Sequence, residues 1–140
     1  MTRAAVEGLA AWFEAMTPAS LEDIGRYYTD DAWFKDPFNE VRGVDPIRAI
    51  FARMFEQVDA PRFAILHCVV DDTQAFLVWD MHFHFRGSSR AQCIHGSSHI
   101  RLSGDGRVYY HRDYWDTGEE LYAKIPGLGA LFRWLRRRAH

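Results

Sequence analysis

The feature that most constrains the fold is a strict alternation between apolar and polar side chains over residues 75–86. One face of this run carries Leu77, Trp79, Met81, Phe83 and Phe85, and the other carries Val78, Asp80, His82, His84 and Arg86. Alternation of period two predicts a long β-strand with two unlike faces, but it does not say which face is inside. Either the apolar face packs in the core, or the polar set lines a cavity and a second copy of the chain covers the apolar face.

The rest of the chain divides into a helical first part and a stranded second part. Helical periodicity predicts helices over residues 3–16, after Thr17-Pro18, and from Asp45-Pro46 onward. The helices are interrupted by a turn at Asp30-Asp31 and a short strand at 32–36. Four long strands are then predicted at about 62–70, 75–86, 91–103 and 107–116. This order predicts an α+β fold, a cone-shaped and strongly curved, mostly antiparallel sheet wrapped around three N-terminal helices. A C-terminal helix follows, and the open end of the sheet leaves room for a ligand.

Length predicts one domain over residues 1–140, with a core at about 3–122 and a C-terminal helical tail at 117–138. The tail mixes arginines with apolar residues. We expect it to pack on protein rather than on a membrane.

Composition excludes several classes of function. A net charge of −2 gives no bulk attraction to nucleic acid, and no window reaches the roughly 18 apolar residues of a membrane span. Glu7 interrupts the N-terminal apolar stretch, which argues against a secretion signal. Cys68 and Cys93 lack zinc spacing and predict buried thiols in a reducing, cytoplasmic compartment.

Two segments carry a resemblance to a known superfamily. They are YTDDAWFKDP at Tyr28–Pro37, followed by Arg42-Gly43, and HRDYWD at His111–Asp116. With the order of elements, they make roughly residues 3–122 similar to the nuclear transport factor 2-like superfamily, which includes ketosteroid isomerase, limonene-epoxide hydrolase and the SnoaL-type polyketide cyclases. The resemblance implies a small-molecule pocket and a homodimer formed through the Leu77/Trp79/Met81/Phe83/Phe85 face.

The resemblance also implies roles for two aspartates. Asp36 matches the general base of ketosteroid isomerase, although an Asp-Pro turn that accepts backbone hydrogen bonds is an equally ordinary use of this residue. The isomerase's oxyanion positions hold Trp12 and Ser98 here, which argues against steroid isomerisation. Asp113 matches an aspartate of limonene-epoxide hydrolase that helps to activate water.

The other members of the hydrolase triad are replaced. Asp80 stands in the place of its arginine and His82 in the place of its second aspartate, so an alternative set is His82 as a base oriented by Asp80 or Asp113. His111 shares a predicted face with Asp113, and the two form either part of the pocket wall or a structural pair.

We therefore expect a cofactor-independent acid–base enzyme, or a binding module of the same fold, acting on a small and largely apolar ligand. Isomerisation, cyclisation, dehydration and hydrolysis all fit, and no metal is expected because the histidines lack a compact spacing. The expected proton carriers are Asp36 and Asp113, assisted by His82, Asp80 or His111. The expected pocket walls are Trp12, Tyr28, Trp33, Ser98, Tyr109 and Trp115.

Overall fold

The computed structural model of the chain describes residues 2–120, 134–135 and 137–138. The first part holds α1 (Thr2–Glu14), a 3₁₀-helix (Ala19–Arg26), β1 (Tyr28–Lys35), β2 (Glu40–Arg42) and α2 (Val44–Gln57). The second part holds β3 (Val58–Asp71), β4 (Gln74–Phe85), β5 (Ala91–Leu102), β6 (Val108–Tyr114) and the short α3 (Thr117–Glu120). The predicted α+β class and the order of its elements are confirmed.

The strands form one six-stranded sheet in the order β2-β1-β6-β5-β4-β3. Neighbours pair antiparallel except β1 and β6, which are parallel. The central strands therefore form a meander, and the helical part of the chain contributes an edge ribbon beside the last strand. Through this pairing Phe34 lies opposite His111, and Ser98 lies opposite Asp113.

The helices cover the inner face of the sheet. In α1 the residues at helical spacing, Val6, Leu9 and Phe13, are buried, as the sequence pattern predicts. In α2 the buried residues are Ile47 and Phe51. The aromatic rings of Phe13 and Phe51 meet at 6.1 Å, so the two helices share one apolar layer above the sheet.

The alternation in β4 resolves in favour of an inward apolar face. Leu77, Trp79 and Phe83 are buried, and Met81 and Phe85 pack against the same core. Because this face is inside the domain, it is not available to a second chain. The expectation of a homodimer through the Leu77/Trp79/Met81/Phe83/Phe85 face is therefore wrong.

One local prediction fails because a strand is irregular. The predicted turn at Asp30-Asp31 lies inside β1, at a register shift between Tyr28 and Trp33 against β6. Both aspartates are exposed there, so turn-forming residues are accommodated in a strand by a bulge. The three-residue strand β2 was not predicted.

None of the helices in the described part of the chain combines the length and apolar character needed to cross a membrane. The predicted C-terminal tail falls mainly on residues 121–133, outside the described residues.

Replacing Gly96 by alanine is expected to lower the free energy of unfolding by about 1–3 kcal/mol. A Cβ at this position would lie 2.6 Å from Cη2 of Trp79, so the buried ring would have to move. Urea unfolding measures the effect. The matched control is Gly8→Ala in α1, where an added Cβ meets nothing within 4 Å, and it should stabilise by roughly 0.5–1 kcal/mol. Equal stability of Gly96→Ala and wild type would mean that the indole does not lie over β5.

Candidate functional site

A cavity of about 550 Å³ opens between α2 and the inner face of the sheet. Its walls are mainly apolar and aromatic: Phe34, Phe38, Ile50, Phe51, Met54, Val58, Phe63, Trp79, Met81, Phe83, Phe85, Ile94 and Trp115. Asp36, Asn39, Arg53, Gln57 and Asp113 are the polar side chains that line it. This volume and this ratio of apolar to polar walls are typical of small-molecule sites.

Asp113 lies at the centre of a chain of buried and partly buried hydrogen bonds. Its Oδ1 accepts from the Ser98 hydroxyl at 2.5 Å and lies 2.6 Å from Nε2 of His111. The Ser98 oxygen accepts in turn from Nε1 of Trp79 at 2.9 Å. On the other side, Nδ1 of His111 lies 2.8 Å from the Tyr28 hydroxyl. Oδ1 of Asp113 thus accepts two hydrogen bonds, one from Ser98 and one from His111.

The chemistry of the groups fixes the direction of these hydrogen bonds. An indole N–H can only donate and a carboxylate can only accept, so Ser98 must accept from Trp79 and donate to Asp113. A neutral His111 completes the pattern when Nε2 carries the proton and donates to Asp113, while Nδ1 accepts from the Tyr28 hydroxyl. We assign this tautomer because it gives the Ser98 hydroxyl, both ring nitrogens of His111 and the Tyr28 hydroxyl a partner each.

Burial separates the members of the network by role. The His111 side chain is 2% exposed and that of Asp113 is 17% exposed, so the carboxylate is the member that reaches the cavity. Burial, and after it the nearby Asp113 carboxylate, raises the pKa of Tyr28 well above its ordinary value of 10.0. Tyr28 therefore stays protonated and is able to donate to Nδ1 of His111.

A small void of about 20 Å³ adjoins the network, lined by Ser98, His111 and Asp113 together with Phe13, Phe51, Phe63 and Trp79. It shares Phe51, Phe63, Trp79 and Asp113 with the main cavity. A void of this size is large enough for one water molecule.

Asp36 lines the rim of the cavity but is engaged in a turn. Its Oδ1 accepts from the backbone N–H groups of Phe38 at 2.8 Å and Asn39 at 2.7 Å, and both oxygens contact the Asn39 amide nitrogen. Asp36 therefore has the alternative role, in which its carboxylate closes an Asp-Pro turn.

Asp80 and His82 lie on the outer face of β4, across the sheet from the cavity. Both alternate with Trp79 and Met81, whose side chains line the cavity. Asp80 hydrogen-bonds His95 at 2.7 Å rather than His82 or Asp113. The hypothesis of a His82 base in the pocket is therefore wrong, because the inward face of β4 is the apolar one.

Four predicted wall residues lie elsewhere. Tyr28 is fully buried behind His111 and lines neither cavity. Tyr109 is the extra residue of a bulge, since Leu102 pairs with Val108 and Arg101 with Tyr110, and its side chain is exposed. Trp33 stacks on Tyr110 at 4.9 Å, outside the cavity. Trp12 is in the core and does not line the cavity, and its Nε1 donates to the Ser20 carbonyl at 3.2 Å.

The residues that the structure does bring together are Tyr28, Ser98, His111 and Asp113 in the network, with Trp115 on the cavity wall. Sequence reasoning missed the part played by Trp79, whose indole both walls the cavity and donates to Ser98. It also missed Arg53 of α2 at the cavity. The helical periodicity of α2 marks its apolar face but gives no sign that a charged residue at its edge meets a cavity.

Comparison with known families gives a match. The model of the SnoaL-like domain family matches residues 9–111. A search of proteins with curated functions finds no match.

Several solved structures share the fold. A hypothetical protein of ketosteroid isomerase-like fold from Catenulispora acidiphila DSM 44928, in complex with trimethylamine, superposes with a TM-score of 0.71 at 17% identity, covering 84% of this chain and 88% of that one. An LEH-like epoxide hydrolase from M. tuberculosis gives 0.69 at 18% identity, covering 93% of each chain. A protein from Jannaschia sp. CCS1, provisionally assigned as a SnoaL-like polyketide cyclase, gives 0.68 at 17% identity over 80% of this chain and 85% of that one. At these identities the likeness concerns the fold alone.

Proposed function

This chain belongs to the SnoaL-like domain family, and from that premise we propose that it binds a small, largely apolar molecule and catalyses a cofactor-independent proton transfer on it. Asp113 is the proton carrier. The observation that carries the proposal is the Asp113 carboxylate at the wall of an apolar cavity, held in place by Ser98 and His111.

The fixed carboxylate suits a general base. Ser98 and His111 both bind Oδ1, and the described residues provide no hydrogen bond to Oδ2, which is left for a substrate. A base must be held within hydrogen-bond reach of the proton that it takes. The ring of His111 is itself held by Tyr28, so the carboxylate is positioned by two layers of side chains.

The cavity walls define the substrate class. Aromatic and aliphatic side chains provide most of the lining, so burial of an apolar body supplies the binding energy. Arg53 is the cation on the described wall, and we place the polar oxygen of the substrate toward it.

The proposed step moves one proton. Asp113 takes a proton from a carbon beside a carbonyl group, the electron pair moves toward the carbonyl oxygen, and the carboxylic acid returns the proton at the same or another carbon. The donors at the two oxyanion positions are already used, Trp12 by Ser20 and Ser98 by Asp113. This supports a proton transfer assisted from the α2 side by Arg53, and it weighs against an isomerase of the ketosteroid type.

The test is proton exchange in heavy water. The full chain is incubated with a set of small apolar aryl ketones, and deuterium uptake beside the carbonyl is followed by mass spectrometry. Fluorescence of Trp79 and Trp115, which line the cavity, reports binding in the same samples. We expect at least one ketone to bind and to exchange about tenfold or more faster than in buffer.

The rival function, a binding module without catalysis, gives a different result. In that case ketones change the tryptophan fluorescence, but they are recovered without deuterium uptake above that in buffer. Such a result contradicts the proposed catalysis while leaving the cavity as a binding site. A Trp33→Phe variant serves as the fluorescence control, because Trp33 lies outside the cavity and its loss should leave the response in place.

A further inference from the structure

Four side chains with metal-binding atoms form a square on the outer face of the sheet. Asp80 and His82 of β4 lie directly opposite His95 and Cys93 of β5. Within each strand the two residues are two positions apart, so all four project from the same face. Directly opposed residues of antiparallel strands have Cβ atoms about 4.5–5.5 Å apart, which brings the ends of these side chains within reach of one another.

Three of the four converge most closely. Asp80, His82 and Cys93 each offer one ligand atom, and these atoms all lie within 4.8 Å of one another. Zinc bonds of about 2.0–2.3 Å put neighbouring tetrahedral ligands roughly 3.5 Å apart. Small rotations of side chains on rigid strands are therefore enough to close the set around an ion.

His95 supports the same centre from the side. Its Nδ1 lies 2.7 Å from Oδ1 of Asp80, which holds that carboxylate in place. Carboxylates and imidazoles that bind metals are commonly oriented by such outer partners. The three converging side chains are only partly buried, so an ion can reach them from solvent.

We propose that Asp80, His82 and Cys93 form a binding site for a divalent cation of the zinc type, with His95 orienting Asp80 and water completing the coordination. A thiolate and an imidazole select a borderline-soft ion over magnesium or calcium. On binding, the Cys93 thiol loses its proton to solvent and its sulfur binds the metal. The site is separated by the sheet from the cavity and from Asp113, so it does not depend on the proposed catalysis.

Cobalt titration of the tag-free full chain tests the proposal, because cobalt occupies zinc sites and reports a bound thiolate by charge-transfer absorption. We expect this absorption in wild type, its removal by added zinc, and its loss in Cys93→Ser. Cys68→Ser is the matched control. Cys68 is on β3 and packs against the core, and burial raises the pKa of its thiol, so this variant should keep the absorption.

The other ligands give graded expectations. His95→Gln should weaken cobalt binding by about 10–100-fold, the range for loss of an orienting partner, and Asp80→Asn and His82→Ala should weaken it at least as much. Absence of charge-transfer absorption in wild type overturns the proposal. So does absorption that survives in Cys93→Ser, or binding that is indifferent to both Asp80→Asn and His82→Ala.

A second measurement needs no variant and therefore cannot fail through misfolding. The wild-type chain is alkylated with iodoacetamide with and without zinc, and the two cysteines are quantified separately by mass spectrometry. We expect zinc to slow alkylation of Cys93 by about tenfold or more while Cys68 is unchanged, since a metal-bound thiolate is not free to react. Equal rates with and without zinc at Cys93 contradict the site.

Discussion

Asp113→Asn is expected to slow deuterium exchange of a bound ketone by about 10²–10⁴-fold, the range typical of a lost general base. An asparagine amide cannot take a proton from carbon at neutral pH. Its carbonyl oxygen can still accept from Ser98 and His111, which hold Oδ1 of Asp113 at 2.5 Å and 2.6 Å. Affinity for the ketone, read from tryptophan fluorescence, should therefore change far less than the exchange rate.

The comparison variant is Asp36→Asn, which changes the other carboxylate on the cavity wall. We expect a loss smaller than about tenfold, because Oδ1 of Asp36 accepts from the backbone N–H groups of Phe38 and Asn39 and Oδ2 accepts from the Asn39 amide at 3.2 Å, and a base has to be free to reach the proton that it takes. Thermal unfolding of both variants provides the check on folding. Exchange that falls in Asp36→Asn and persists in Asp113→Asn would contradict the assignment of the base.

Most of the fold could be predicted from the periodicity of apolar residues in the sequence. The apolar spacing of α1 and the long alternations of the later strands are set by local geometry, and the structure has them where the pattern predicts them. The predictions that failed concern features that depend on the pairing between strands. The bulge that turns Tyr109 to solvent arises from the register of β5 against β6, and a single strand's sequence does not contain its partner's register.

The site was harder to predict because its parts meet across distant strands. His111 and Asp113 share one strand, and that neighbourhood is visible in the sequence. Ser98 and Tyr28 reach them only through the pairing of β6 with β5 and with β1. The cluster of Asp80, His82 and Cys93 was not predicted for the same reason. Its side chains are adjacent across two strands and show no compact spacing along the chain.

The choice between the two faces of β4 turned on packing rather than on pattern. The alternation of apolar and polar residues is compatible with either face of β4 being inside. The imidazoles and the carboxylate of the polar face suggested that this face lines a catalytic pocket. The helices decide the matter, because the apolar layer of α1 and α2 has to be buried against an apolar sheet face. Phe63 and Trp79 meet edge to face at 5.8 Å beneath that layer, which leaves the polar side chains outside.

Trp79→Ala is the variant that discriminates most strongly between these two placements. We expect it to lower the free energy of unfolding by about 3–5 kcal/mol, the usual cost of truncating a buried large aromatic residue. The indole is 6% exposed, packs against Phe63 and donates to Ser98. Its loss opens a void and leaves the serine oxygen without that donor, so urea and thermal unfolding should both shift to milder conditions.

Two further substitutions separate packing from hydrogen bonding and inside from outside. Trp79→Phe keeps most of the ring and loses the N–H, so we expect a smaller cost, of about 1–3 kcal/mol. Phe76→Ala lies on the same strand but on the exposed outer side, and it should cost about 1 kcal/mol or less. If Trp79→Ala instead unfolded like wild type but lowered the molecular mass by light scattering, Trp79 would belong to a surface between two chains. In that case the inward placement of this face would be wrong.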